Sequence, residues 1–135
     1  MVIDTSALLH VLFRETGWRE SLRFLATQPE LNIPASVLIE AHAVFTGRGG
    51  QDPEANVDAL LKSLDAQIIA VGHAEAVLAR RAYSRYGKGR HKAALNFGDV
   101  ISYAVAASRR EPLVFVGDDF SHTDLELVRL PLEGF

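Results

Sequence analysis

Acidic residues at four places in this chain have the types and positions to hold a metal ion. Asp4 follows the apolar run MVI, Glu40 lies in ASVLIEAHA, Asp99 follows NFG at the head of an alanine-rich stretch, and Asp118 and Asp119 follow LVFVG. Carboxylates gathered in one place repel and raise one another's pKa, and such a cluster persists when a cation neutralises it. The chain has no cysteine, and His10, His42, His73, His91 and His122 form no pair at ligand spacing on one helix. An all-oxygen donor set of this kind favours Mg²⁺, with Mn²⁺ as a substitute. An ion held there would orient a water, lower its pKa and offset charge on a phosphoryl oxygen, which is the chemistry of phosphodiester hydrolysis.

A second group of residues suits the same substrate. The segment RRAYSRYGKGRHK places Arg80, Arg81, Arg85, Lys88, Arg90 and Lys92, six of the fourteen basic residues, in one acid-free stretch. The formal net charge is −3, so a polyanion must be met by a local patch of this sort rather than by bulk attraction. Arg80, Arg81 and Arg85 also suit a helix C-terminus, where cations complement the macrodipole. Lys88, Arg90 and Lys92 lie beyond it, with Gly87 and Gly89 letting the backbone approach a phosphate. Tyr83 and Tyr86 are placed either to stack bases or to fill a core.

The elements that must position these groups follow from periodicity and breakers. Met1–Ile3 reads as a strand, Thr5 and Ser6 as caps for a helix over Ala7–Phe13, and Trp18–Ala26 as a second helix. LNIPA is a short strand with Pro34 as first residue of a helix running to Thr46, where Val37, Leu38, Ala41, Val44 and Phe45 share an apolar arc and Glu40 lies beside its edge. Ala55–Leu64 is helical, QIIAV a strand, His73–Tyr86 a helix, Gly98–Arg109 a helix, LVFVG a strand and ELVRL a final short one. Short, continuously apolar strands alternating with helices define an α/β protein whose parallel sheet is covered on both faces. Its ligand crevice lies beyond the carboxyl ends of the strands, where Asp4 and the Asp118–Asp119 pair are delivered.

Each acid also has a purely structural use: Asp4 as a helix cap, Asp99 as a first-turn acid favoured by the macrodipole, Glu40 as a solvated helix residue, and one of Asp118 and Asp119 as a turn residue. Their convergence on one sheet edge argues for the site. Ser6 lacks a His and Asp relay and reads as a cap or a donor to Asp4. Trp18 suits core or interface, and Ile39, off the apolar arc of its helix, a subunit or partner surface.

The chain of 135 residues is sized for one domain, and the absence of cysteine suits a reducing cytosol. The N-terminal run has Asp4 inside it and no basic segment before it, so neither a signal peptide nor a membrane span is expected, and a cytoplasmic location is.

The strand ending in DTSALL, the Glu after IPASVLI, the segment YGKGRHKAALNFGDVISYAVA and the ending PLVFVGDDFSHTDL together resemble the PIN-domain ribonucleases, and within them the VapC-type toxins of bacterial toxin–antitoxin pairs. The resemblance covers nearly the whole chain and implies a single PIN domain over 1–135, a short, mostly parallel sheet flanked by helices. It implies Mg²⁺- or Mn²⁺-dependent endoribonuclease activity with Asp4, Glu40, Asp99 and a fourth acid from the GDD turn, Asp119 in preference to Asp118. On that basis Asp4 and Asp99 are the expected metal ligands, with Glu40 and Asp119 as further ligands or as base. Arg85, Lys88, Arg90 and Lys92 are the expected RNA contacts. The resemblance also implies a homodimer, a VapB-type antitoxin and a structured RNA substrate, either transfer RNA or a ribosomal RNA loop. Two other readings compete: a catalytically silent partner-binding module of the same fold, and a Mg²⁺-dependent phosphoacceptor signalling domain.

Overall fold

A computed structural model describes residues 1–133; positions 134 and 135 of the expected domain lie outside it. The elements in chain order are β1 (Val2–Ile3), α1 (Thr5–Leu12), α2 (Trp18–Ala26), β2 (Asn32–Pro34), α3 (Ala35–Gly47), α4 (Pro53–Ser63), β3 (Gln67–Ile69), α5 (His73–Tyr86), α6 (Phe97–Arg109), β4 (Leu113–Val116) and β5 (Leu127–Leu130). All strand pairs are parallel, in the order β3-β2-β1-β4-β5. The chain therefore builds outward from β1 through β2 to β3, then returns to lay β4 and β5 on the other side. The order reverses between β1 and β4, and the crevice of an open parallel sheet opens at such a reversal.

Strand alternation divides the core in two. Ile3, Ile33 and Val114 face the layer of α1 to α4 with Leu8, Leu25, Val37 and Val57, while Val2, Leu113 and Phe115 face α5 and α6 with Tyr86, Val100 and Ala104. Burial on both faces explains why these strands read as continuous apolar runs. Phe120, just past the acidic turn, packs edge-on against Phe115 at 5.5 Å between ring centroids and fixes where that turn leaves β4.

Three local expectations are corrected. The cap of α1 is Asp4 itself, whose carboxylate accepts from the Ser6 amide, so the helix starts at Thr5 rather than Ala7. Pro34 keeps an extended ψ of 139° and pairs with Ile69 as the last residue of β2, leaving Ala35 to open α3. β3 is not covered on both faces: Ile68 is 45% exposed because β3 is the edge of the sheet. β3 covers only Gln67–Ile69 of the expected QIIAV strand and is followed by Ala70, Val71 and Gly72, so it delivers no acid to the carboxyl edge of the sheet.

Candidate active site

The carboxyl ends of β1 and β4 are joined where the acids emerge. The Asp4 amide donates to the Val114 carbonyl at 2.9 Å. Ser6 Oγ donates to Asp4 Oδ2 at 2.6 Å and accepts from the Val116 amide at 3.0 Å. Ser6 thus acts as the expected donor to Asp4 and also ties Asp4 to the strand that carries the GDD turn. Gly117 has φ of 101°, a left-handed conformation suited to glycine, and turns the chain from β4 into Asp118 and Asp119.

Asp99 arrives from α6 by a reciprocal cap. Asn96 Oδ1 accepts from the Asp99 amide at 2.9 Å, and Asp99 Oδ2 accepts from the Asn96 amide at 3.0 Å. This capping box fixes both the helix start and the side-chain orientation. Glu40 comes from α3, and its carboxylate packs directly over Gly98, occupying the space that a β-carbon at that position would need.

The electrostatics bring all four together. Burial first, then the charges of Asp4, Asp119 and Glu40, push Asp99 up to about 7 against the amide hydrogen bond from Asn96. Asp119 is raised above the ordinary carboxylate value by burial of its carboxyl and by Asp4 and Asp118, although the residue as a whole remains exposed. Among the described residues no Lys, Arg or His lies within ion-pairing distance of Asp4, Glu40, Asp99 or Asp119. The two acids of the GDD turn have different surroundings. Asp118 is bound by Arg129 of β5, which also donates to Ser121 Oγ at 2.8 Å, whereas Asp119 shares the field of Asp4 and Asp99.

The donor chemistry fits a hard divalent cation. Asp4 and Asp99 each commit Oδ2 to a protein hydrogen bond, and their other oxygens are not among the buried atoms lacking a partner. Like charges without a counter-cation are what such an ion neutralises. Among the described residues no three acidic or histidine side chains stand close enough together to hold an ion as they are placed in this structure.

The basic loop is an ordered excursion between α5 and α6. Its ends are clasped by the Lys88 amide to the Leu95 carbonyl and the Leu95 amide to the Tyr86 carbonyl, each at 2.9 Å. Lys88, Arg90 and Lys92 are exposed, and none has an acidic partner within 4.0 Å among the described residues. Arg85 differs: it faces Asp124 at 3.7 Å, which also accepts from the Tyr103 hydroxyl at 2.6 Å. Tyr86 is core and Tyr83 is partly exposed. His10 is a buried, satisfied group with Nε2 2.9 Å from Ser21 Oγ, joining α1 to α2. Trp18 packs partly buried against the core, and Ile39 is 72% exposed.

Arg129, Asn96 and Gly98 are the residues that reading the sequence missed. Asn96 was legible as the cap of an Asn-x-x-Asp box; Arg129 was not, because its role depends on the register Phe115 to Arg129 between β4 and β5.

An α/β sheet with acids at its β1 and β4 ends, joined by acids from α3 and α6, defines the class. The PIN domain family matches residues 1–126, and the chain belongs to it. Ribonuclease VapC30 of Mycobacterium tuberculosis is 42% identical over 97% of this chain and 100% of its own length. Ribonuclease VapC of Mycolicibacterium smegmatis is 38% identical over 95% of this chain and 99% of its own. Within the PIN domains, the chain is a member of the VapC ribonuclease family. The fold matches Mycobacterium tuberculosis VapC20, described as a Sarcin-Ricin loop cleaving toxin, with TM-score 0.76, 20% identity and coverage of 95% and 98% of the two chains. It also matches the Rickettsia felis VapBC2 complex bound to a promoter DNA fragment, with TM-score 0.75, 14% identity and coverage of 95% and 96%.

The contact between Glu40 and Gly98 gives a direct test of that acid. In Gly98→Ala the added methyl displaces the flexible end of Glu40 rather than backbone. Thermal melting is expected to stay level or rise, because Ala stabilises a helix by roughly 0.5–1 kcal/mol over Gly. Any phosphodiesterase activity is expected to fall about tenfold as Glu40 leaves its place. Unchanged activity in a variant of unchanged stability would remove Glu40 from the site.

Proposed function

We propose that this chain is a metal-dependent endoribonuclease and the toxin of a toxin–antitoxin pair. One observation carries the reading: carboxylates from four different parts of the fold share one field with no cation paired to them, and the loop of unpaired cations leads along the chain directly into the helix that carries Asp99. Asp4 and Asp99 would hold Mg²⁺ or Mn²⁺, with Glu40 and Asp119 completing the oxygen set. When bound, the ion supplies charge neutralisation at the phosphate and acidity to water. Whichever of Asp119, on its exposed turn, and Glu40, beside Gly98, is not taken up as a ligand would accept the proton that the attacking water gives up. Asn96 and Ser6 keep Asp99 and Asp4 pointed at the crevice. Lys88, Arg90 and Lys92 bind backbone phosphates on the approach, and Arg85 adds its charge from the pair with Asp124.

The family's naming supports RNA as substrate, and the solved complexes among the structural neighbours support a VapB-type antitoxin as partner. A homodimer and a cytoplasmic location belong to the same reading. Ile39, exposed beside Glu40, is an apolar contact that a partner would cover. No helix among the described residues is long and apolar enough to cross a membrane.

The test is incubation of the purified chain, freed of copurifying antitoxin, with total cellular RNA in Mg²⁺ or in EDTA, followed by sequencing of new 5′ ends. Discrete cuts that require the metal and vanish in Asp4→Asn are expected. A folded, metal-binding protein that leaves every RNA intact would favour the silent binding module instead.

A further inference from the structure

Two exposed aromatic residues bracket the basic loop. Phe97, 81% exposed, is the first residue of α6 where the loop ends, and Tyr83, 42% exposed, lies on the last turn of α5 before it begins. The Gly87 amide donates to the Tyr83 carbonyl at 2.8 Å, and a β-carbon there would meet that carbonyl and the Tyr83 ring, so the loop starts close over Tyr83. The pairing of Tyr86 and Lys88 with Leu95 brings the two ends of the loop together, and both aromatics line one groove between α5 and α6. That groove has a volume of about 560 Å³ and is walled by Val71, Ala79, Tyr83, Phe97, Val100 and Ile101.

We propose that this groove is a nucleobase subsite, in which an unpaired base of the bound RNA stacks on Phe97 against Tyr83 while Lys88, Arg90 and Lys92 hold the flanking phosphates. The identity of the polyanion as RNA rests on the ribonuclease reading; the groove adds where its base goes. Phe97 and Asp99 are two residues apart on one helix and so face directions about 200° apart around its axis. The groove and the acidic site therefore lie on opposite sides of the start of α6, so the stacked base belongs to a nucleotide flanking the one at the carboxylates.

Charge decides the occupant. The groove lining includes Arg80 and no acid, and the unpaired Lys88, Arg90 and Lys92 lie on the loop that runs between its two aromatic residues. A second copy docking this same face by a twofold axis would oppose like charges, whereas a nucleic acid brings phosphates to the cations and a flat apolar surface to the aromatics. The groove between α3 and α4 lacks this complementarity, since Glu54 and Asp58 line it beside Ile39.

The experiment measures anisotropy of fluorescein-labelled A10 and U10 oligoribonucleotides, in EDTA and across a NaCl series, with the full chain and its Phe97→Leu and Phe97→Trp variants. Stacking predicts that Phe97→Leu, which keeps apolar area but loses the ring, binds A10 about 5- to 50-fold more weakly with an unchanged salt slope. Phe97→Trp should stay within about threefold of the parent, and A10 should bind more tightly than U10. Equal A10 affinity in Phe97→Leu would overturn the subsite. So would sedimentation showing that Phe97→Leu loses affinity only because an oligomer has dissociated, which would give the face to a second copy. Phe97-dependent A10 binding by a protein that cleaves no cellular RNA would sustain the subsite and defeat the ribonuclease reading. Cleavage with no dependence on Phe97 would do the reverse.

Discussion

Asp99→Asn is expected to lower RNA cleavage by about 10²–10⁴-fold while making the metal-free protein more resistant to heat at pH 8. The two effects have one cause. Asp99 is 8% exposed and sits in the field of Asp4, Asp119 and Glu40, so its charge is destabilising until a cation arrives. Asparagine retains the oxygen that accepts from the Asn96 amide, which preserves the cap of α6, and removes the charge.

The pH dependence follows from the direction of the shift. In the unfolded chain Asp99 ionises near its ordinary value of 3.8, whereas in the fold its pKa lies at about 7. Between those values the folded protein holds a proton that the unfolded chain has released, so the stability contributed by Asp99 falls as pH rises through this window and stays low above it. The ceiling on the loss is about 4 kcal/mol, reduced in practice because the crevice opens to solvent. The melting-temperature difference between Asp99→Asn and the parent should therefore grow from pH 4.5 to 7 and level off beyond, and Mg²⁺ should narrow it by stabilising the parent. A constant difference from pH 4.5 to 8 would show that the buried charge is not what the substitution relieves. At sub-saturating Mg²⁺ activity should also climb as pH rises, and more Mg²⁺ should move that rise to lower pH, since proton and cation compete for the carboxylate.

Much of this was legible in the sequence because the chemistry lies at element ends. A carboxylate directly after an apolar run is placed by the strand itself, which is why Asp4 and the GDD turn could be assigned to one sheet edge before any coordinates. Glu40 was legible from the helical arc around Val37, Ala41 and Phe45, all of which are buried. What stayed hidden depends on strand order. The different surroundings of Asp118 and Asp119 turn on Arg129 reaching the turn from β5, and no local pattern ties residue 129 to residue 118. The partial exposure of β3 follows from its edge position, which periodicity does not report. The pairing of Arg85 with Asp124 likewise needs the segment after β4 to lie against the end of α5.

That pairing separates the basic residues into two kinds with different expected effects. The triple variant Lys88→Gln, Arg90→Gln, Lys92→Gln should bind RNA about 10²-fold more weakly near 0.1 M salt, and its slope of log K against log salt should be shallower by about 2, because each lost phosphate contact removes about 0.7 from a single-strand slope. All three side chains are exposed and unpaired among the described residues, so the fold loses nothing that holds it together. The loop itself keeps its clasp, which is made by backbone groups of Tyr86, Lys88 and Leu95. Cleavage at saturating RNA should therefore stay within a few-fold of the parent, placing the loss in KM rather than kcat. Arg85→Gln should cost far less, since Arg85 already shares its charge with Asp124 across 3.7 Å and removing it frees a carboxylate rather than a phosphate. A salt slope that does not move in the triple variant would mean that the phosphates are held elsewhere, and Arg80 and Arg81 on α5 would be the next to replace.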